Sequence, residues 1–96
     1  MKAINTTHAP AAIGPYSQAV EANGFVYVSG QLPIDPSTGA FAEGGIQAEA
    51  RQCLTNIKNI LAEAGMEMCD VAKVTVLLAD IASFSAVNEV YAEFRK

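Results

Sequence analysis

The sequence predicts an α+β fold in which two helices pack on one face of a sheet, with the element order β-β-α-β-α. Three observations lead to this prediction. An Asn-Gly pair joins two strand-prone runs near residue 23, and apolar residues recur at helical spacing from residue 46 onward. A β-branched run around residue 75 then precedes a second amphipathic stretch.

The first predicted element is a β-hairpin over residues 17–30. Residues 17–22 lead into Asn23-Gly24, and the apolar residues 25–28 follow. Asn and Gly both tolerate positive φ, so the pair favours a two-residue type I′ turn. Apolar side chains of the second strand point to both sides, which predicts a strand covered on both faces.

A loop and a long helix come next. Residues 31–45 contain Pro33, Asp35-Pro36 and Gly44-Gly45, which is typical of irregular structure. Residues 46–64 show one apolar stripe at helical spacing, and Gly65 follows as a C-cap. The stripe comprises Ile46, Ala50, Cys53, Leu54, Ile57, Ile60, Leu61 and Ala64. The polar residues, mostly on the other side, are Glu49, Gln52, Asn56, Asn59 and Glu63.

The last two predicted elements are a strand over residues 70–79 and a helix over residues 81–94. The strand is predicted from its β-branched and leucine-rich core, and Asp80 is a suitable N-cap for the helix. The inward stripe of this helix is predicted to comprise Phe84, Val87, Tyr91 and Phe94. Three strands and two helices leave an exposed sheet edge, so other subunits or further strands are expected to complete the sheet.

Length, composition and charge limit the classes of function. Ninety-six residues are expected to form one domain. Six Lys and Arg against ten Asp and Glu give a net charge of −4, which argues against binding to nucleic acid or to an anionic membrane. Hydrophobic residues make up 51% and charged residues 17%, which excludes disorder. The apolar excess predicts burial against another subunit.

The sequence also predicts a cytoplasmic protein. No apolar run is long enough to span a membrane, and the first ten residues lack the apolar core of a secretory signal. Cys53 and Cys69 are too few for a disulfide framework and are expected to be small apolar side chains in a reducing compartment.

Several polar residues are weak candidates for a catalytic or metal-binding role. His8 is the single histidine, so it cannot build a zinc site alone, and a solvated side chain is the expected role. Cys69 has no close basic residue before it, so its thiol is expected to be mostly inert. Arg51 is expected to form a solvated salt bridge. The spacing of acidic residues predicts no metal site.

The stronger candidates lie at the open end of the predicted hairpin. Antiparallel pairing places Tyr16 near Ser29, and Gly30 adds a backbone N–H. Two hydroxyls beside a glycine amide can bind a carboxylate or hold a water. From spacing alone, a structural tyrosine whose hydroxyl bonds a carbonyl is favoured over a site residue. Asn88 interrupts the second helix and is either a structural tie or a site residue.

These same segments resemble the Rid family, the reactive intermediate deaminases of the YjgF type. The resemblance extends over nearly the whole chain up to Phe94. It is carried by residues 9–18 (APAAIGPYSQ), residues 28–33 (VSGQLP), Thr38-Gly39, Ala50-Arg51-Gln52, Asn56-Ile57, Ala64-Gly65, residues 70–73 (DVAK) and residues 84–91 (FSAVNEVY).

The resemblance implies a chorismate-mutase-like α+β fold, with residues 1–96 as a single Rid-type domain that is short at its C-terminus. It further implies a homotrimer with a central barrel and sites in clefts between subunits. The implied activity is hydrolysis of 2-imino acids and their enamines, such as 2-aminoacrylate, 2-iminopropanoate and 2-iminobutanoate, to 2-keto acids and ammonia. Neither a cofactor nor a metal is implied.

The resemblance also implies roles for particular residues. Tyr16 would line the substrate pocket, Ser29 and the Gly30 N–H would contact the carboxylate or nitrogen, and Asn88 would support the cleft. Family members continue for about thirty residues more, which is still within one ordinary domain. That part supplies two strands, an arginine that clamps the substrate carboxylate and an acidic residue near the water. Arg95, near the chain end, cannot replace that arginine.

Two explanations follow from this difference in length. The sequence is either a shortened version of a longer deaminase, which we favour, or a short variant without activity. The alternative function is a catalytically silent module that binds small carboxylates or a protein partner. RNA cleavage, which has been attributed to some relatives, is less favoured because of the acidic net charge and the single His8.

Overall fold

The computed structural model describes residues 1–95 and shows two helices packed against a small antiparallel sheet. The predicted α+β class and the packing of both helices on one sheet face are therefore confirmed. The elements are the strands β1 (Lys2–Ile4), β2 (Ala19–Ala22) and β3 (Phe25–Val28), the helices α1 (Ile46–Glu63) and α2 (Phe84–Phe94), and short 3-10 turns at Met68–Asp70 and Ile81–Ser83.

The hairpin prediction is confirmed. Strands β2 and β3 pair antiparallel with Ala22 opposite Phe25, so the turn contains only Asn23 and Gly24. Asn23 has a φ of 53° and Gly24 a φ of 83°. Positive φ at both central residues is the requirement of a type I′ turn, whose twist matches that of the flanking strands.

Strand β1 was not predicted from the sequence. It pairs antiparallel with β2, so the sheet order is β1-β2-β3 and β2 is central. Three residues carry too little alternation to identify a strand. Its inward residue, Ile4, is 6% exposed and packs with Ala19 and Ile60.

Helix α1 ends where the sequence predicts. Gly65 has a φ of 76°, its N–H donates to the Ala62 carbonyl at 3.0 Å, and the Met66 N–H donates to the Leu61 carbonyl at 2.8 Å. These two bonds form a Schellman motif, which satisfies carbonyls that have no partner inside the helix.

Two apolar clusters join these elements. One lies between the sheet and α1 and is built around Ile4, Ala19 and Ile60. The other lies mainly between the helices and contains Leu54, Leu61, Met68 and Val90. The inward side chains Val26 and Val28 contact both clusters, so β3 connects them.

The predicted strand over residues 70–79 is wrong. Met68–Asp70 form a 3-10 turn, and the following residues up to Asp80 join no strand of the described chain. Val76 is 51% exposed and Leu77 is 91% exposed. β-propensity reflects packing against neighbouring strands, and this run has no such neighbour within residues 1–95. The order of the described strands and long helices is therefore β-β-β-α-α.

The second helix is confirmed, with one correction to its inward stripe. Asp80 accepts a hydrogen bond from the Ala82 N–H at 2.9 Å and caps the 3-10 turn that leads into α2. Val87 is buried as predicted, and Val90, which the prediction omitted, is 1% exposed. Phe84 is 57% exposed. It lies on the predicted side of the helix, but no described element covers that end.

The outer face of the sheet is apolar and open. Phe25 and Tyr27 are 64% and 62% exposed, and their ring centroids lie 6.5 Å apart. Strand β3 is therefore apolar on both sides, as predicted, and residues 1–95 cover only its inner side. Among the described residues, no helix is both long and apolar enough to cross a membrane.

The type I′ turn predicts that a glycine-to-alanine substitution destabilises the protein at Gly24 more than at Gly30. Gly24→Ala should lower the free energy of unfolding by about 1 kcal/mol, because alanine is strained at positive φ. Gly30→Ala is the matched control, since Gly30 lies outside the positive-φ range and a Cβ there would meet nothing within 4 Å. Urea unfolding followed by circular dichroism measures both. Equal effects would contradict the assigned turn.

Candidate functional site

The open end of the hairpin is held by hydrogen bonds of Ser29. Its N–H donates to the Gln18 carbonyl at 3.0 Å and extends the β2–β3 pairing by one residue. Its Oγ donates to the Ser17 carbonyl at 2.8 Å. The serine hydrogen is therefore used inside the chain, and the oxygen keeps lone pairs that can accept a hydrogen bond.

Gly30 presents its amide at a free sheet edge. In an antiparallel pair, successive residues point their N–H groups to opposite sides. Since the Ser29 N–H points toward β2, the Gly30 N–H points away from it, toward the unpaired edge of β3. This N–H donates no hydrogen bond within residues 1–95. It is available to an anionic or carbonyl group of a ligand.

Tyr16 lies at the same end of the hairpin as Ser29 and Gly30 and is open to solvent. Its N–H donates to the Gly14 carbonyl at 2.9 Å, which closes a tight turn around Pro15. The tyrosine is 54% exposed, and its hydroxyl makes no hydrogen bond to a described residue. Ser17, which follows directly, supplies the carbonyl that holds the Ser29 hydroxyl. Tyr16, Ser29 and Gly30 therefore occupy the same end of the hairpin, and these three residues form the hairpin group.

Asn88 is not part of this group within one chain. It lies on α2, its side chain is exposed, and it makes no hydrogen bond to the described part of the hairpin. Since it is exposed, the alternative of a buried structural tie is wrong for the single chain. The structure thus brings three of the four candidate residues to one place and leaves the fourth on a different element.

The loop after Gly30 is anchored to α1 by a buried amide. The Asn56 Nδ2 donates to the carbonyls of Leu32 at 3.3 Å and Ile34 at 3.0 Å, and its Oδ1 accepts from the Gln52 Nε2 at 2.9 Å. Asn56 is completely buried. The sequence prediction placed it among mostly outward polar residues, and helical periodicity contains no signal that a loop would cover it.

The two cysteine thiols are not activated. Burial, and to a smaller extent the charge of Glu49, raises the pKa of Cys53, whose Sγ donates to the Gln31 carbonyl at 3.4 Å. The pKa of the exposed Cys69 is raised chiefly by its hydrogen bond to the Glu67 carboxylate, at 3.6 Å. The raised pKa leaves less of the Cys69 thiol as thiolate, which does not favour a role as a nucleophile.

The remaining polar candidates have structural contacts. The exposed His8 contributes its carbonyl, which accepts from the Asn59 Nδ2 at 2.8 Å. Arg51 forms a bidentate salt bridge with Glu93 at the surface, as predicted. Its Nη1 donates to Oε1 at 3.3 Å and its Nη2 donates to Oε2 at 3.0 Å. Among the described residues, no group of three or more His, Cys, Asp or Glu could hold a metal ion.

Arg95 is also engaged within the chain. Its guanidinium donates to the carbonyls of Met68 at 2.9 Å and Val71 at 2.8 Å, and it lies 5.9 Å from the ring centroid of Tyr91. These bonds tie the end of α2 to the turn that follows α1. The guanidinium is directed at these carbonyls, so it does not serve the hairpin group.

The sequence of the chain matches a known protein family. The family model described as Endoribonuclease L-PSP matches residues 6–96. The chain belongs to this family. It is the YjgF or Rid family, so the resemblance predicted from the motifs is confirmed.

Individual relatives are similar over nearly the whole chain. A 2-iminobutanoate/2-iminopropanoate deaminase from Capra hircus is 56% identical over 91 residues, which are 95% of this chain and 66% of the goat protein. A RutC family protein from Pyrococcus horikoshii is 53% identical over 95% of this chain and 72% of its own length. The chain thus spans about two-thirds of the length of the curated relatives it matches.

Solved structures share the fold. RidA from the Antarctic bacterium Psychrobacter sp. PAMC 21119 matches with a TM-score of 0.92 and 45% identity, over 98% of this chain and 76% of that one. TdcF from E. coli, whose structure contains bound serine, matches with a TM-score of 0.93 and 42% identity, over 98% of this chain and 73% of that one.

The burial of Asn56 predicts a large cost for removing its amide. Asn56→Ala should lower the free energy of unfolding by about 2 kcal/mol, because the carbonyls of Leu32 and Ile34 lose a buried donor. Asn59→Ala, on the same helix, removes a single exposed bond to His8 and should cost roughly 0.5 kcal/mol. Chemical denaturation measures both, and an Asn56→Ala cost no greater than that of Asn59→Ala would refute the anchoring role.

The raised thiol pKa values predict slow alkylation. At pH 8, both cysteines should carry less thiolate than a free cysteine and react more slowly with iodoacetamide than they do in the urea-unfolded chain. Cys53 should react more slowly than Cys69 because it is half-buried, and both rates should rise with pH. Peptide mass spectrometry measures each site. If Cys69 reacts faster in the folded chain than in the urea-unfolded chain, the raised pKa of its thiol is contradicted.

Proposed function

We propose that this protein hydrolyses 2-imino acids, or the enamines that precede them, to 2-keto acids and ammonia. The observation that carries the proposal is the open Tyr16, Ser29 and Gly30 group, in a chain 50–56% identical to relatives named 2-iminobutanoate/2-iminopropanoate deaminase. These relatives match over 94–99% of the chain, so the residues of the group lie within the shared part.

The reaction demands little from the protein. The carbon of an imine is already electrophilic, so water adds to the C=N carbon and the resulting carbinolamine loses ammonia to leave a C=O group. The nitrogen departs with two protons from water and the proton it carried, and the oxygen of water stays on carbon. The protein has to hold the substrate carboxylate and present one water to that carbon.

The hairpin group is suited to part of this task. In the proposed arrangement, the Gly30 N–H donates to the substrate carboxylate, because it faces the free edge of β3 without an internal partner. The Ser29 oxygen accepts from the imine N–H or from water, since its own hydrogen is bonded to the Ser17 carbonyl. The Tyr16 ring forms a wall, and its hydroxyl donates to the substrate.

The rest of the site is proposed to come from a neighbouring copy. Asn88 lies apart from the hairpin group within the chain, which agrees with a site assembled in a cleft between subunits. The exposed rings of Phe25 and Tyr27 support a homotrimer in which the outer sheet faces form the interior of a barrel. We further propose that residues 1–96 form a single Rid-type domain and that the protein acts in the cytoplasm.

A binding module without catalysis is the second candidate. One observation favours it: TdcF, which is 42% identical, has serine bound in its structure. The relatives are longer than this chain, and the carboxylate-clamping arginine implied by the resemblance would lie in that additional length. A chain with the hairpin group alone could retain a small amino or keto acid without converting it. RNA cleavage is disfavoured by the net charge of −4.

The deciding experiment measures hydrolysis of 2-iminobutanoate generated from threonine by a dehydratase. The purified chain should speed formation of 2-oxobutanoate above the rate in buffer. Tyr16→Phe and Ser29→Ala should each lower kcat/KM about tenfold, since each removes one protein hydroxyl that forms a hydrogen bond with the substrate or its water. Arg51→Gln is the control, because it changes only the exposed pair with Glu93, and its kcat/KM should match the unsubstituted chain.

The two candidate functions give different results in the same samples. A folded chain that gives the buffer rate, but binds serine or 2-oxobutanoate in calorimetry, supports the binding module. A folded chain that neither binds nor accelerates the reaction contradicts both. Light scattering on each sample reports whether the trimer forms.

A further inference from the structure

Gln18 is a buried polar side chain that the proposed reaction does not use, and both its oxygen and its nitrogen make hydrogen bonds. It is 2% exposed. Its Oε1 accepts from the Thr6 N–H at 2.6 Å, and its Nε2 lies at donor distance from the carbonyls of Thr6, Ala9 and Pro10, at 3.0, 3.1 and 2.7 Å. One carboxamide therefore gathers three residues of the segment between β1 and β2.

The backbone of the same residue belongs to the hairpin end. The Gln18 carbonyl accepts from the Ser29 N–H at 3.0 Å, and the Gln18 N–H donates to the Asn5 Oδ1 at 3.3 Å. Gln18 thus connects the pairing that places Ser29 with the irregular segment 5–17, which carries Tyr16.

Tyr16 has few restraints of its own. It is 54% exposed, and its one hydrogen bond is the local bond from its N–H to the Gly14 carbonyl. Its place relative to Ser29 is consequently set by how the whole segment is anchored. Besides Gln18, two described side chains hold the segment: Asn59 of α1 donates to the His8 carbonyl, and the Ser29 Oγ donates to the Ser17 carbonyl next to Tyr16.

We propose that Gln18 is a positioning residue for Tyr16, and that its carboxamide holds the segment so that the tyrosine stands beside Ser29 and Gly30. This inference rests on the proposed function for its kinetic consequence only. Glutamine suits the position because one side chain supplies both an acceptor for an N–H and donors for several carbonyls. A methionine or a carboxylate of similar size cannot donate to those carbonyls.

The test compares Gln18→Met and Gln18→Glu with a matched control. Both variants lose the donors, while one is apolar and the other keeps the glutamine shape. Val90→Ala is the control because Val90 is 1% exposed and belongs to the apolar cluster between the helices, which includes no residue of segment 5–17. It should lower the unfolding midpoint without a local effect on the segment.

Three readouts decide the outcome. Amide hydrogen exchange in residues 5–17 should rise about tenfold in both Gln18 variants, while exchange in α1 stays within twofold, as expected for local opening. The NMR signal of the ring of Tyr16, assigned with Tyr16→Phe, should shift. In the 2-iminobutanoate assay, kcat/KM should fall about tenfold, with most of the change in KM because Tyr16 lines the pocket.

Failure of this inference is distinguishable from failure of the proposed function. If the unsubstituted chain is inactive, the deaminase proposal fails, and exchange and the Tyr16 signal still decide the role of Gln18. If the chain is active and the Gln18 variants keep kcat/KM, or keep the exchange and ring signal of the unsubstituted chain, the positioning role is overturned. A uniform rise of exchange over the whole chain, equal to that of Val90→Ala, would also overturn it.

Discussion

The tight turn at Asn23-Gly24 is the constraint on which the candidate site depends. Positive φ at both residues allows two residues to connect β2 and β3, and this sets every pairing along the hairpin. Four positions beyond the turn the ladder reaches Ala19 and Val28, and the next pair joins Gln18 to Ser29. A shift of the pairing by one residue would turn Val26 and Val28 away from the helices, so the apolar core and the placement of Ser29 require the same register.

Buried side-chain amides then fix the two loops beside the hairpin end. Gln18 bonds the carbonyls of the segment before β2, and Asn56 bonds those of the loop after Gly30. No helix or strand of either loop satisfies these carbonyls, and an unpaired buried carbonyl is costly. Glutamine and asparagine supply the missing donors without adding charge. The irregular segments that carry the candidate site therefore have defined positions, although they contribute few residues to the apolar clusters.

Particular residues show how far the sequence could predict this arrangement. The Asn-Gly turn, helix α1 with its Gly65 end, and the Asp80 cap all depend on local backbone chemistry, and each was predictable. The run at residues 70–79 has strand propensity but no strand partner among residues 1–95, so propensity alone was misleading. Asn56 has the periodicity of an outward residue, yet a loop more than twenty positions away covers it.

The sequence by itself determined the fold class, the hairpin, both helices and the motifs that identify the family, because these follow from neighbouring residues and from periodicity. It also indicated that Tyr16, Ser29 and Gly30 would meet, since hairpin register follows from the turn. Only the tertiary structure decided that Asn88 stands apart from them, that strand β1 joins the sheet, and that Gln18 and Asn56 are buried donors. Each of these depends on contacts between distant segments, which no local pattern encodes.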